Sequence, residues 1–302
     1  MKRLPQIALL PDGKRLHLQD GPIDLVIEAK GSEGEVRAAY EAAARRFNGL
    51  LDELCEELVE LRRAADPVRC SLQGIIARRM HAAVAPFAAG NFITPMAAVA
   101  GSVAEEILSA MLAVARLDRA YVNNGGDIAL HLTGTEQFAV GLMDRPDYRG
   151  VMQTIHVEAG DPARGIATSG RHGRSFSLGV ADAVTVLAKT ASQADAAATV
   201  IANAVDLPGH PAIVRLPANE LQPDSDLGVR LVTRDVGALG EGEIDQALSA
   251  GIARAQQLLA AGLIEGAALR LLGETALLGS TGIKAGALPA FQERALQRAA
   301  HV

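Results

Sequence analysis

The chain has 302 residues, 49% hydrophobic and 21% charged, with 3% aromatic and no Trp. That balance excludes disordered and fibrous classes and leaves a sizeable core to be built from Ala, Leu, Val and Ile. The formal charge of -6, with no run of Lys and Arg interleaved with aromatics, argues against nucleic acid as a partner.

Two strand-like runs, Arg15 to Gln19 and Ile23 to Ala29, open the chain. Val36, Tyr40, Ala43, Phe47, Leu50, Leu54, Leu58 and Leu61 then recur at spacings of three and four, predicting one amphipathic helix over 35–63 that covers a sheet. Ala65-Asp66-Pro67 breaks it, and Ser71 is placed to cap a second helix reaching Ala85, before Pro86. The irregular Gly90 to Pro95 leads into an Ala-rich helix through Met111. From Arg119 the period changes to strands at 120–122, 128–132, 138–142, 153–158, 165–168 and 183–188. A helix over 192–205, strands at 213–216 and 228–233, a helix over 244–261 and a strand over 267–278 follow. Strands and helices do not alternate strictly, which predicts an α+β fold, with 1–302 as a single domain, rather than a doubly wound parallel sheet.

Cys55 and Cys70 lie in no metal-ligand spacing and read as free thiols. The N-terminal apolar run is too short for a signal sequence, and no stretch has the roughly 18 apolar residues of a membrane span, so cytoplasmic residence and no membrane partner are expected. Familiar signatures fail. Gly237 to Gly242 has its glycines in the wrong order for a dinucleotide turn, and Gly279 to Lys284 lacks the Lys-Ser/Thr pair and helix of a P-loop. No GxSxG elbow or HExxH helix occurs, and His17, His131, His156 and His301 read as isolated surface or core residues.

Three segments remain. Asn123-Asn124-Gly125-Gly126-Asp127 lies between short strands and is a hairpin turn by its Asn-Gly signal. Its glycines would equally let backbone amides approach a flat ligand, with Asp127 accepting hydrogen bonds. Gly165 to Ser175 gathers Thr168, Ser169, Gly170, His172, Arg174 and Ser175. Small residues, hydroxyls and arginine forks suit a phosphate, although a solvated glycine-rich turn has the same composition. Asp195 and Thr199 stand at i and i+4 on one helix, where a carboxylate and a hydroxyl can hold Mg²⁺ against phosphate oxygens. Asp early in a helix is favoured by the dipole alone.

In their order and spacing these segments resemble the ApbE family of flavin transferases. NNGGDI, Asn123 to Ile128, resembles its N-V-G-G-D-I motif, and IATSG, Ile166 to Gly170, its A-T-S-G strand end. Val184 to Thr199 resembles its V-T-V…A-D-A-x-A-T segment, and Thr94 to Ile107 is similar to its G-I-A-K-G-Y helix start. The likeness covers roughly Thr94 to Thr199. It implies an α+β fold related to the T-fold, an antiparallel sheet covered by helices. It also implies FAD or another flavin nucleotide as the phosphorylated ligand, bound through Thr94, Asn124 to Asp127 and the 168–175 segment. Magnesium is implied at Asp195, Thr199 and the Ala100 carbonyl. Such a protein splits FAD and joins FMN to a threonine of an acceptor protein, and a homodimer is an expected assembly. Two departures stand out. The family's H-x-x-D-P-x-T-G segment has no counterpart. In its place Gly170 to Val186 resembles the G-H-S-x-S-F-G-x-A-D-A stretch of an uncharacterised ApbE-like branch, with Arg174 at the histidine and His172 two residues earlier as the candidate catalytic group. The lysine of the helix start is Gly101. The resemblance therefore implies a transferase or, alternatively, a binding or maturation protein that kept the pocket and lost the transfer.

Overall fold

The computed structural model describes residues 4–143 and 151–279. The chain opens on β1 (Gln6–Leu9), β2 (Leu16–Asp20) and β3 (Ile23–Lys30). Leu16 and Leu18, then Ile23, Leu25 and Ile27, are buried in strict alternation, so one face of β2 and β3 enters the core. β1 is exposed at all four residues and leaves no alternation for a sequence reading to find.

The helix expected over 35–63 is three helices, α1 (Glu33–Phe47), α2 (Leu50–Glu56) and α3 (Leu58–Leu61). Gly49, at a φ of 83°, breaks the first from the second. The apolar stripe survives the breaks, since Phe47, Leu50, Leu54 and Leu61 are all buried. α4 (Ile75–Ala88) begins at Ile75 rather than after Ser71. Glu57 accepts from the Gln73 and Gly74 N–H groups, 2.7 Å each, and so supplies the cap from a distant part of the chain. Pro86 lies in the last turn, where its missing N–H forfeits a single helical bond.

A 3-10 turn over Pro95–Ala98 runs into α5 (Val99–Leu112). Together Pro95–Leu112 has 18 residues and a mean hydropathy of 1.3, which corrects the expectation that no stretch reaches the length and apolarity of a membrane span. With 56% of it buried inside the protein and Val103, Ala104, Ile107 and Met111 in the core, it serves as a core helix.

β4 (Arg119–Asn124), β5 (Asp127–Leu132), β6 (Gln137–Met143), β7 (Val151–Glu158), β8 (Gly165–Ser169) and β9 (Ala183–Ala188) come next. They are followed by α6 (Ala191–Ala204), β10 (Ile213–Pro217), α7 (Ala218–Leu221), β11 (Leu231–Val236), α8 (Glu241–Ala260), β12 (Gly266–Leu271) and β13 (Glu274–Gly279). The strand expected at 228–233 starts later, at Leu231, and α7 was not anticipated. The strand expected over 267–278 is a hairpin turned at Leu272 and Gly273, with φ of 46° and 92°. Positive φ at both central residues is what a two-residue hairpin of this kind requires, and leucine is not a residue that announces it. Of the Gly279 to Lys284 segment, residues 280–284 lie outside the described residues.

The chain divides into two compact units. One comprises residues up to Gln137 with Glu158–Ala167 and Ala188–Ala196. In it β1, β2, β3, β4, β5 and β8 pair in that order, each antiparallel to its neighbour. α1, α4 and α5 bury Phe47, Met80 and Ile107 with Leu18, Leu25 and Val122 of the sheet. The other comprises Phe138–Val157, Thr168–Leu187 and the chain from Ala197 onward. Here β9, β12 and β13 form an antiparallel set with α8 packed on β12 and β13, and β10 with β11 makes a separate ribbon. Antiparallel sheets with helices laid on them make the architecture α+β, as expected.

Candidate functional site

In the first unit the β4–β5 hairpin closes at Asn124, which pairs with Asp127 across Gly125 and Gly126 at φ of 64° and 116°. Asn123 Oδ1 accepts the Gly126 N–H at 2.8 Å and locks the turn. Asn124, 3% exposed, points its amide the other way and donates from Nδ2 to the Ala100 carbonyl, 3.1 Å away in the first turn of α5. The turn glycines thus set the tip, and Asn124 ties that tip to a helix N-terminus.

That N-terminus meets the start of α6. Asp195 Oδ2 accepts the Gly101 N–H at 3.0 Å, and the Ala100 N–H also bonds its carboxylate. An α6 carboxylate therefore caps α5, whose first N–H groups have no partner within their own helix. The arrangement is reciprocal, because Glu105 of α5 accepts the Ser192 N–H of α6 at 2.6 Å. Such contact demands a bare backbone. A Cβ on Gly101 would stand 2.3 Å from the Ala191 carbonyl oxygen and 2.8 Å from the Ser192 nitrogen. The departure from lysine at this position has a steric cause, since any side chain would drive the two helices apart.

Burial holds the Asp195 carboxyl well above the usual carboxylate range, and the neighbouring Asp127 charge pushes the same way, against the two N–H bonds. The residue as a whole is only partly exposed, and its carboxyl group is buried. Beside it the Asn124 Oδ1 is buried with no hydrogen-bond partner, as is the Ser102 hydroxyl one residue after Gly101. A buried amide oxygen without a donor, together with two mutually repelling carboxylates, is what a hard cation relieves. Magnesium fits this donor set: all the donors are oxygens, they carry net negative charge, and they are few enough to leave room for water. The Ala100 carbonyl, expected as a ligand, already accepts the Asn124 amide. Thr199 follows one turn later on α6 and is partly exposed. Thr94, expected to contact the cofactor, is 2% exposed at the head of the 3-10 turn, where its carbonyl accepts the Ala97 N–H at 3.1 Å. Among the described residues no three His, Cys, Asp or Glu side chains cluster as a metal cage.

In the second unit the 168–175 segment is organised by a residue that sequence reasoning did not single out. Asp182, 6% exposed, accepts Arg171 Nε at 2.8 Å through Oδ1 and the Leu272 N–H at 2.5 Å through Oδ2. His172 Nε2 lies 3.3 Å from the same Oδ1. Gly170 is buried at a φ of 146°, and a Cβ there would stand 2.5 Å from the Asp182 carbonyl oxygen. Thr168 Oγ1 pairs with Thr185 Oγ1 at 2.8 Å, Ser169 is partly exposed, and Arg174 and Ser175 are exposed at the outer end of the loop. The A-D-A wording around Asp182 was the one available signal, but nothing local marks it as a hub. His17 and His131 bond to Asp24 and to the Leu117 carbonyl, as residues without a ligand role would.

The family match and the sequence relatives are as follows. The family model described as AbpE bacteria matches residues 7–277. The UPF0280 protein of Methanopyrus kandleri is 37% identical over 183 residues, which are 60% of this chain and 69% of that one. The UPF0280 protein of Methanobrevibacter smithii is 35% identical over 153 residues, 49% of this chain and 63% of that one. The flavinyl transferase ApbE of Pseudomonas stutzeri, in its apo form, is a distant structural neighbour, with a TM-score of 0.34 and 13% identity over 66% of this chain and 84% of that chain.

Proposed function

The chain belongs to the family described as AbpE bacteria, and we propose that it binds a phosphorylated nucleotide, FAD or a related flavin, together with Mg²⁺, and acts at the phosphate linkage. The observation that carries this reading is the Asp195 carboxylate, held above its usual range beside Asp127 and the unpartnered Asn124 Oδ1. An Mg²⁺ ion held there would supply neutralisation of phosphate charge and polarisation of the linkage. Asp127 and Asp195 hold the ion, and Thr199 and the Ala100 carbonyl are the further ligands that the family resemblance assigns. Asn124 orients the hairpin tip, whose Gly125 amide faces the ligand, the Gly126 N–H being held by Asn123 Oδ1. Thr168, Ser169, Gly170, Arg174 and Ser175 supply phosphate donors, and Thr94 shapes the wall. The family match runs through both compact units, which supports reading 1–302 as one ApbE-like domain. An acceptor protein, a homodimer and cytoplasmic residence belong to the same proposal, with no role for nucleic acid or membrane.

A second reading, binding or maturation without transfer, is favoured by Gly101, where no lysine can be accommodated while α5 and α6 remain in contact. One experiment separates the two. FAD binding is measured with Mg²⁺ and with EDTA, and AMP and FMN are followed by chromatography. Release of both marks a transferase, whereas tight Mg²⁺-dependent binding without release marks a binder. FAD affinity identical in EDTA and in Asp195→Asn would overturn the metal assignment in either case.

A further inference from the structure

The geometry around Asp182 points to a second piece of machinery in the 168–187 region: we propose that Asp182 is a positioning residue that fixes His172 as its Nε2–H tautomer, leaving Nδ1 as a free base for a proton of the bound ligand or its acceptor. The inference rests on the reading above for the identity of the ligand but not for the dyad itself.

Three independent constraints immobilise the carboxylate. Arg171 holds it with Nε and Nη2, at 2.8 and 2.6 Å. The Leu272 N–H holds Oδ2 at 2.5 Å. Its own backbone N–H donates to the Arg270 carbonyl at 2.9 Å, in the strand that ends at that turn. Leu272 has a φ of 46°, a left-handed conformation that a leucine side chain disfavours, and it is the one non-glycine at positive φ among the described residues. The two-residue β12–β13 hairpin requires that conformation, and the Asp182 carboxylate on the Leu272 N–H is a further contact at the same residue.

The histidine is placed as firmly. The Arg171 N–H bonds the Ala181 carbonyl at 2.9 Å, and the Gly173 N–H bonds the Gly170 carbonyl at 3.1 Å, so Arg171 and His172 are the two central residues of a closed turn. Gly170 presses that turn onto the Asp182 backbone with no space for a Cβ. In this turn His172 Nε2 stands 3.3 Å from Oδ1, and the side chain stays 27% open to solvent. A carboxylate accepts only, so the nitrogen facing it carries the hydrogen and the other ring nitrogen keeps its lone pair. Arg171 neutralises Asp182 when His172 is neutral. When Nδ1 takes a proton, the imidazolium charge falls against the same carboxylate. The proton lost by a ligand or acceptor hydroxyl is the one gained at Nδ1.

Long-range proton–nitrogen NMR on ¹⁵N-labelled full-length protein reads the tautomer directly, with the His172 signals assigned by their loss in His172→Gln. The Nε2–H form is expected to exceed the Nδ1–H form at least tenfold at neutral pH without ligand, and that excess to collapse in Asp182→Asn. If Asp182→Asn does not fold, the wild-type spectrum alone decides. A dominant Nδ1–H tautomer, or two equal populations, overturns the dyad. On adding FAD and Mg²⁺ the Nδ1 resonance is expected to move, and where AMP release is seen, His172→Gln should lower kcat about a hundredfold with KM little changed. Turnover unaffected by His172→Gln sinks the proposal while sparing the transferase reading. Failure to bind FAD at all sinks that reading, and the tautomer in the free protein still decides the dyad.

Discussion

Gly101→Ala is the sharpest test of the α5–α6 junction, because an ordinary helical glycine and this one respond with opposite sign. In an open helix the substitution stabilises by up to about 1 kcal/mol, through propensity and a less flexible unfolded chain. At Gly101 the added Cβ stands 2.3 Å from the Ala191 carbonyl oxygen, where ordinary contact begins at 3.4 Å, and the obstacle is backbone that cannot rotate away. The helices must part by about 1 Å, or their ends must strain, at roughly 1–3 kcal/mol for overpacking. Parting also stretches the Asp195 bond to the Gly101 N–H from 3.0 Å and the Glu105 bond to the Ser192 N–H from 2.6 Å, and a bond to a charged group contributes about 1.5–3 kcal/mol. Because both bonds are stretched rather than broken, we count them within the overpacking cost, and set against the propensity gain the net effect is a destabilisation of up to about 2 kcal/mol, or a melting temperature lower by roughly 2–8 °C. Circular dichroism melts on wild type and Gly101→Ala measure it. Gly242→Ala serves as the control, because Gly242 lies in α8 with nothing within 4 Å of its added Cβ, and it should hold or raise the melting temperature. A Gly101→Ala melt at or above wild type would refute the close-contact account, and with it the steric reason for the missing lysine.

Asp195 should give stability an unusual pH dependence. Its folded pKa is raised by burial and by Asp127, so between the ordinary carboxylate value of about 4 and its folded value the native state binds more protons than the unfolded chain. Stability therefore falls as pH rises through that window, and Asp195→Asn should flatten the fall in a series of melts. Since a cation competes with those protons, the rise in melting temperature on adding Mg²⁺ should grow with pH over the same range; an increment independent of pH would remove Asp195 from the site. Asn124→Ala deletes the bond to the Ala100 carbonyl and should cost about 1–3 kcal/mol in urea unfolding, together with most of the Mg²⁺ increment. Full retention of that increment would show that the tip Asn124 orients has no part in holding the ion.

What the sequence disclosed depended on how far apart the interacting residues lie. The NNGGD turn is local chemistry: Asn123 Oδ1 bonds the N–H three residues on, and left-handed glycines follow, so the hairpin and its tip were legible. The apolar stripe from Val36 to Leu61 revealed a buried face but not the breaks at Gly49 and Glu57, because side-chain spacing reports which face is buried and not whether one helix carries it. α4 starts late because its cap, Glu57, lies 17 residues before Gly74. Asp182 reaches Arg171 across 11 residues and Leu272 across 90, and Glu105 reaches Ser192 across 87. No window of neighbouring residues contains such pairs. A chain read in isolation therefore yields the turn and misses the hub.

The reciprocal caps also decide which variant can test the metal. Asp195 has two duties, closing the N-terminus of α5 through Oδ2 and, in the proposed function, holding Mg²⁺. Asp195→Ala abolishes both, so lost binding in that variant would be indistinguishable from a shifted α5 and the hairpin tip that Asn124 ties to it. Asp195→Asn keeps a carbonyl acceptor for the Gly101 N–H, removes the charge and exchanges the second oxygen for an NH2 group, a far smaller change to the cap than Asp195→Ala. If the carboxylate is chiefly a cap, Asp195→Asn should melt at or above wild type and leave Mg²⁺-dependent FAD binding intact. If it is a ligand, the melt should again be at or above wild type, because a disfavoured buried charge is gone, but the Mg²⁺ dependence should vanish. The melting temperature is the same in both cases, and the cation dependence alone separates a helix cap from a metal site.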